Sequence, residues 1–362
     1  MKRINSIDIL RGLSIIYMIS GHLSAWWLKA GYSWFYEIIR MTAEPLGSSS
    51  FLFISGMSTA ISYYKRLKKT QNSENYSKKI MRSEYFFRAT LLLIVAFIYN
   101  FFVTIQFHNI LDIWTWFILL TISFCLFLSW PLLETPKIFR IIFGISLWVI
   151  NFFLLNFLIN FQGQLNVWGV LFYILYNNLN LDPLVLFFTY FIIGTVIGEV
   201  LFELLETNDQ FKNKKILMKK LFLPSLIGGI ILIMTGILFN FPSFLHHRTF
   251  PWFFYALGVE LILISIMFYF EFFKNFGSKL STKFFFYFSY YSFTIYLLHN
   301  LLYFIFLHQL SPLFCSILII ITILITGYLL KIIYHRLGNS FSVKMQIARI
   351  SVKLAKLINK SS

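Results

Sequence analysis

Residues 6–27 read SIDILRGLSIIYMISGHLSAWW, and only Asp8, Arg11 and His22 among them carry or readily gain charge. As a helix this stretch is about 33 Å long, enough to cross the roughly 30 Å of hydrocarbon in a bilayer. Apolar runs of similar length recur along the 362 residues, which are 58% hydrophobic, 20% aromatic and 12% charged. Soluble domains carry about a quarter charged residues, so lipid has to serve as solvent for much of this chain. Backbone groups in lipid find no water, and only helices or closed barrels satisfy them internally. The ~10-residue alternation of a barrel strand is absent. The expected fold is all-α: a polytopic integral membrane bundle of about ten transmembrane helices.

Spans are expected near 7–27, 43–64, 87–107, 112–133, 139–160, 184–203, 221–241, 252–273, 284–308 and 313–334. With both termini cytoplasmic, this layout places 26 of the 31 Lys and Arg on the inner side and leaves Lys29, Arg40 and Arg248 outside, as the positive-inside rule asks. Segment 165–180 is apolar but short. Counting it as a span would throw the five lysines of 204–220 outside, so it reads as an external interfacial or re-entrant piece. The formal charge of +17 lies in short stretches between apolar runs, which points to a lipid bilayer as partner and not to nucleic acid. The reading is therefore a multi-pass protein of the cell membrane. Cys125 and Cys315 sit inside apolar runs and imply no disulfide framework. The first segment, with Asp8 and Arg11 and no small-residue cleavage site after it, does not read as a cleavable signal peptide.

Two parts are expected, a membrane domain over 1–335 and a basic tail over 336–362. In the tail, Val343, Ile347, Ile350, Leu354 and Leu357 recur at helical spacing with lysines between them. That pattern suits an amphipathic helix lying on an anionic inner leaflet.

Ionisable groups within spans cost about 2.5–3.5 kcal/mol on insertion scales and usually face a cavity or one another. The short list here is Asp8, Arg11, His22, Glu260, His299 and Lys331, with Glu44 and His108 near outer span ends. Arg11 and His22, eleven residues apart, point within about 20° of each other and lie about 16 Å apart along the axis. Asp8 stands on the same face, within pairing reach of Arg11; Ile15 and Met18 fill the middle of the stripe. A structural ion pair and a packed histidine would produce the same pattern. Lys331 reads as snorkelling to the inner surface. His246, His247 and Arg248 cluster outside, but without a carboxylate or cysteine at ligand spacing no metal site is expected.

SIDILRGLSI at 6–15, running on to Gly21 and His22, resembles the opening of the transmembrane acyltransferase superfamily, which includes the acyltransferase-3 proteins and the relatives of heparan-α-glucosaminide N-acetyltransferase. The acyltransferase-3 signature is an arginine, ten residues and a histidine; Arg11 and His22 match it. FLFISG at 51–56 is similar to the family's aromatic-rich run ending in Ser-Gly, and SFTIYLLH at 292–299 resembles its late Tyr-Leu-Leu-His segment. His246–Arg248, followed by Phe250, Pro251 and Gly258, resembles the Arg–Pro–Gly entry to a late helix in the heparan-type branch.

The resemblance implies transfer of an acyl group, commonly acetyl, from cytoplasmic acyl-CoA to a hydroxyl or amine of a carbohydrate or related acceptor at the outer face. On that implication Arg11, oriented by Asp8, meets the phosphates of acetyl-CoA, because a guanidinium suits phosphate. The thioester then travels up the stripe to His22, the general base or else the group that is itself acylated, with His299 and Glu44 as its catalytic neighbours. Glu260 binds the acceptor, and Ser48 and Ser50 let the backbone approach it. The rival reading is a transporter or lipid scramblase without covalent chemistry, which intramembrane charges suit equally. Against it, no inverted repeat or matched pair of broken spans is visible.

Overall fold

The computed structural model of the chain describes residues 3–73, 76–107, 113–177, 181–206, 210–245, 249–274 and 282–360. His108, His246, His247 and Arg248 lie outside them. The helices in chain order are α1 (Asn5–Trp27), α2 (Ser33–Ala43), α3 (Ser48–Asn72), α4 (Lys78–Phe107), α5 (Ile118–Leu133), α6 (Lys137–Leu158), α7 (Val167–Leu175) and α8 (Leu184–Glu206). They continue with α9 (Gln210–Leu217), α10 (Leu223–Phe239), α11 (Phe250–Phe273), α12 (Lys283–Tyr290), α13 (Ser292–Leu298), α14 (Pro312–Arg336) and α15 (Val343–Lys360). No strand occurs among the described residues. Six helical stretches are long and apolar enough to cross a membrane: Lys78–Ile105, Lys137–Phe161, Leu184–Glu206, Lys214–Phe239, Phe250–Phe273 and Pro312–Arg336.

The chain divides into two compact units. The first comprises Met1–Phe51 and Leu204–Gln346. Its centre is α1, which packs against α11, α12, α13 and α14. Ile15, Ile19, Leu23 and Trp27, spaced four residues apart, bury one face of α1 against Tyr287, Phe288 and Tyr291 and against Cys315 and Ile319 of α14. Gly12 lets α1 and α12 approach backbone to backbone, since a Cβ there would collide with the Phe285 carbonyl. Gly229 and Gly258 do the same for α10 and α11, a Cβ on either lying 2.7 Å from the other's carbonyl oxygen. Small residues permit such close crossings where lipid supplies no hydrophobic drive. Gly258 thus has a packing role.

The second unit comprises Leu52–Glu203 and Ile347–Ser362. Here the FLFISG run finds its physical reason: a Cβ on Gly56 would collide with the Phe191 carbonyl, and one on Gly194 or Gly198 with the carbonyls of Phe53 or Met57. Glycines on α3 and α8 therefore set a near-contact crossing. Beside it lies a buried ion pair. The Arg140 guanidinium, fully buried on α6, pairs with Glu199 of α8, and its Nη1 donates to Thr195 Oγ1 at 3.2 Å. Tyr64 Oη donates to Glu199 at 2.6 Å, and Lys137 Nζ approaches the same carboxylate at 3.6 Å. Near the ends of α3 and α4, Arg66 and Tyr76 both donate to Glu84, at 2.8 and 2.7 Å. Burial, together with that carboxylate, holds the Tyr76 hydroxyl above its ordinary pKa, so it stays a donor.

Two sequence expectations change in detail. The run 284–308 is not one helix: α12 ends at Tyr290, α13 at Leu298, and a 3₁₀ turn follows over His299–Phe304. The polar stretch 65–88 is mostly helix, because α3 continues to Asn72 and α4 begins at Lys78. Lys, Arg, Gln and Glu are good helix formers, so hydropathy marks the edge of the hydrocarbon and not the end of the helix. Within 165–180, α7 has nine residues, about 14 Å of helix, less than half of a bilayer core.

Candidate active site

The N-terminal end of α1 is held by the last third of the chain. Glu271 of α11 accepts from the amides of Asn5 and Ser6, both at 2.7 Å, and from the Ser6 hydroxyl at 2.5 Å. A carboxylate on the free amides of a first turn is favourable for hydrogen bonding and for the helix dipole. Glu271→Ala is expected to cost about 2 kcal/mol, read as a lower melting temperature in detergent, with Glu271→Gln recovering part of it.

One turn further, the Asp8 carboxylate sits between cations and a hydroxyl. Arg3 Nε donates to it at 2.5 Å, Ser289 of α12 donates at 2.8 Å, and Arg11 Nη1 lies 3.7 Å away. Arg11 also donates to Ser289 at 3.4 Å. The Arg3 guanidinium stacks 3.7 Å above the Phe286 ring. Arg3, Asp8 and Phe286 border a cavity of about 340 Å³ whose lining also includes Asn5, Lys283, Tyr334 and His335. Arg11 stands behind Asp8 and does not line it. Arg3, Lys283, His335, Ser289 and Glu271 carry little signal in the sequence read alone, because flanking lysines and single serines are commonplace. One clue exists: Glu271 is the last acidic residue of the chain.

Near the other end of α1, His22 is exposed and its ring lies 4.9 Å, centroid to centroid, from that of the buried His299. Trp26 stacks on both, at 5.1 Å from His22 and 5.7 Å from His299, with Tyr303 edge-on to it. His299 Nδ1 lies 2.5 Å from the Tyr296 carbonyl oxygen. A carbonyl only accepts, so Nδ1 holds the proton and Nε2 of the neutral ring is an acceptor. Backbone bonds fix this arrangement. The amides of His308, Gln309 and Leu310 donate to the carbonyls of Trp26 and Trp27, and Lys29 N donates back to Leu310 O at 3.0 Å. Trp27 Nε1 donates to Leu302 O at 3.0 Å. The 3₁₀ turn carrying His299 is thereby stitched to the helix carrying His22.

The remaining candidates separate from this pair. Glu44 accepts from Tyr17 Oη at 3.3 Å, on a side of α1 about 140° from His22. Burial and the neighbouring Glu44 carboxylate raise the pKa of Tyr36, which stays a phenol. Ser50 accepts from Ser14 at 3.2 Å, both buried, while Ser48, half-buried, begins α3. Glu260 is buried on α11 with neither carboxyl oxygen in hydrogen-bond geometry, although Ser49 stands beside it. Lys331 is exposed on α14, as snorkelling requires. Ile15, in the aromatic core of this unit, closes the direct line between Arg11 and His22. The space along α1 between Arg11 and His22 is filled by this core. Among the described residues, no group of three or more His, Cys, Asp or Glu could hold a metal.

Six helices able to cross a bilayer define a multi-pass membrane protein, and His22 and His299 stand together near one end of its first helix. The family model described as heparan-alpha-glucosaminide N-acetyltransferase, catalytic, matches residues 3–234, and the chain belongs to that family of membrane acetyltransferases. The matched stretch contains Asp8, Arg11, His22, Glu44 and Ser48–Ser50; Glu260 and His299 lie beyond it. No curated protein and no solved structure matches the chain.

Proposed function

We propose that the protein is an acyl-CoA-dependent acetyltransferase of the cell membrane, with about ten spans and both termini cytoplasmic, acting on a hydroxyl or amine of a carbohydrate or related acceptor at the outer face. One observation supports this reading: a single helix has a cation-lined cavity at its N-terminal end and an exposed imidazole, backed by His299, near its C-terminal end. Arg3, Lys283 and His335 receive the phosphates of acetyl-CoA, and Arg11 holds Asp8 so that its charge does not repel them. The acetyl-bearing arm has to pass the Ile15 layer to reach His22, which assigns that layer an opening motion on donor binding.

At His22 the imidazole takes the proton from the acceptor hydroxyl or amine as oxygen or nitrogen attacks the thioester carbonyl. The carbon–sulfur bond then breaks, and the departing thiolate takes that proton from the imidazolium. His299, its tautomer set by Tyr296, orients His22. Glu260, a buried carboxyl without a hydrogen bond, is assigned to the acceptor, with Ser48 and Ser50 forming its close approach; Glu44, held by Tyr17, completes the outer rim.

Acetyl-CoA at a hundred times its Kd stabilises a protein that binds it by about 2.7 kcal/mol, so it is expected to raise the melting temperature of the purified chain. Arg3→Ala/Lys283→Ala should remove that response. Absence of the response in the unaltered protein would overturn the donor assignment.

A further inference from the structure

α15 follows directly on a clamp. Tyr291 Oη donates to Gly338 O at 2.7 Å, Thr294 Oγ1 to Phe341 O at 3.1 Å, Ser342 Oγ to Tyr290 O at 3.2 Å, and the Val343 amide to Thr294 Oγ1 at 3.1 Å. The start of the helix is therefore fixed to the α12–α13 junction. From there its surface divides into three sectors. Ile347, Ser351 and Ala355, four residues apart, are buried. Ile350 and Leu357 are exposed, at 44% and 65%, and lie about 60–80° to one side of that face. Arg349, Lys353 and Lys356 are exposed too, about 180–240° round the helix from Ile347 and adjoining the apolar strip.

Charge identifies what covers this side. α15 contains five Lys and Arg and no Asp or Glu, and after Glu271 the chain has no acidic residue at all. A row of three cations beside a strip of Ile and Leu on a membrane protein matches the boundary of a bilayer, where phosphates lie just above acyl chains. An acidic protein would meet the cations but leave Ile350 and Leu357 in water.

We infer that the exposed side of α15 binds anionic lipid headgroups, with Arg349, Lys353 and Lys356 on the phosphates and Ile350 and Leu357 among the upper acyl carbons. The test is hydrogen exchange across 343–360 in the full chain, reconstituted in discs of phosphatidylcholine alone or with part of it replaced by phosphatidylglycerol. Exchange should slow about tenfold or more with phosphatidylglycerol, since each basic residue adds to surface attraction that salt screens. The slowing should disappear in high salt and in Arg349→Gln/Lys353→Gln/Lys356→Gln. Glutamine has a helix propensity close to that of lysine and arginine, so this variant removes charge without removing the helix. Equal exchange in both discs, or slowing retained in the triple variant, would overturn the inference. So would protection that rises with protein concentration, the mark of a second copy. None of these readouts depends on acetyl transfer.

Discussion

His22→Ala is expected to lower acetyl transfer by about a hundredfold to ten-thousandfold, the range for removing a positioned general base, while the protein remains folded. The fold should survive because His22 is exposed, and its loss removes only ring contacts with Trp26 and His299, worth about 1 kcal/mol. Labelled acetyl-CoA and a membrane acceptor fraction supply the assay, and the melting temperature supplies the control. Transfer at the unaltered rate would remove His22 from the chemistry. His299→Ala is a different experiment: that ring is buried and bonded to Tyr296, so the substitution leaves a void and frees His22 to turn. Activity and stability should both fall, whereas only activity falls in His22→Ala.

Glu199→Ala carries the largest expected effect on stability. It leaves the fully buried Arg140 guanidinium without its carboxylate, and breaking a buried pair costs about 3–5 kcal/mol because a charge stays behind uncompensated. Thermal unfolding in detergent reads the loss. The double variant Arg140→Met/Glu199→Met removes both charges and should recover most of it, since a buried pair is offset by its own desolvation. If single and double variants are equally unstable, the cause is lost packing between α6 and α8 and not an orphaned charge.

The two ends of α1 were legible from spacing, because helical geometry is local: once residues 5–27 form one helix, Arg11 and His22 must share a side. What holds them was not legible. Glu271, Ser289 and the 308–310 backbone act through contacts more than 260 residues away in sequence, and a lone serine or glutamate does not announce its partner. The break at Tyr291 was hidden for another reason: aromatic residues continue on both sides without a glycine or proline. Arg140 and Glu199 carry no distinctive sequence signal, because each sits near the end of an apolar run, where a charge usually reaches water. Their pairing shows only when α6 and α8 are side by side.

The sequence distances around α1 have a consequence for biogenesis. The first helix to leave the ribosome waits for its cap from Glu271 and for Ser289, which follow their partners by 265 and 281 residues. Until most of the polypeptide has been threaded through the insertion machinery, Asp8 and Arg11 lack Ser289, and His22 lacks His299. Such long-range closure is slow in folding generally, so competence for the reaction arrives late, in one step, when the final third docks onto the oldest part of the molecule.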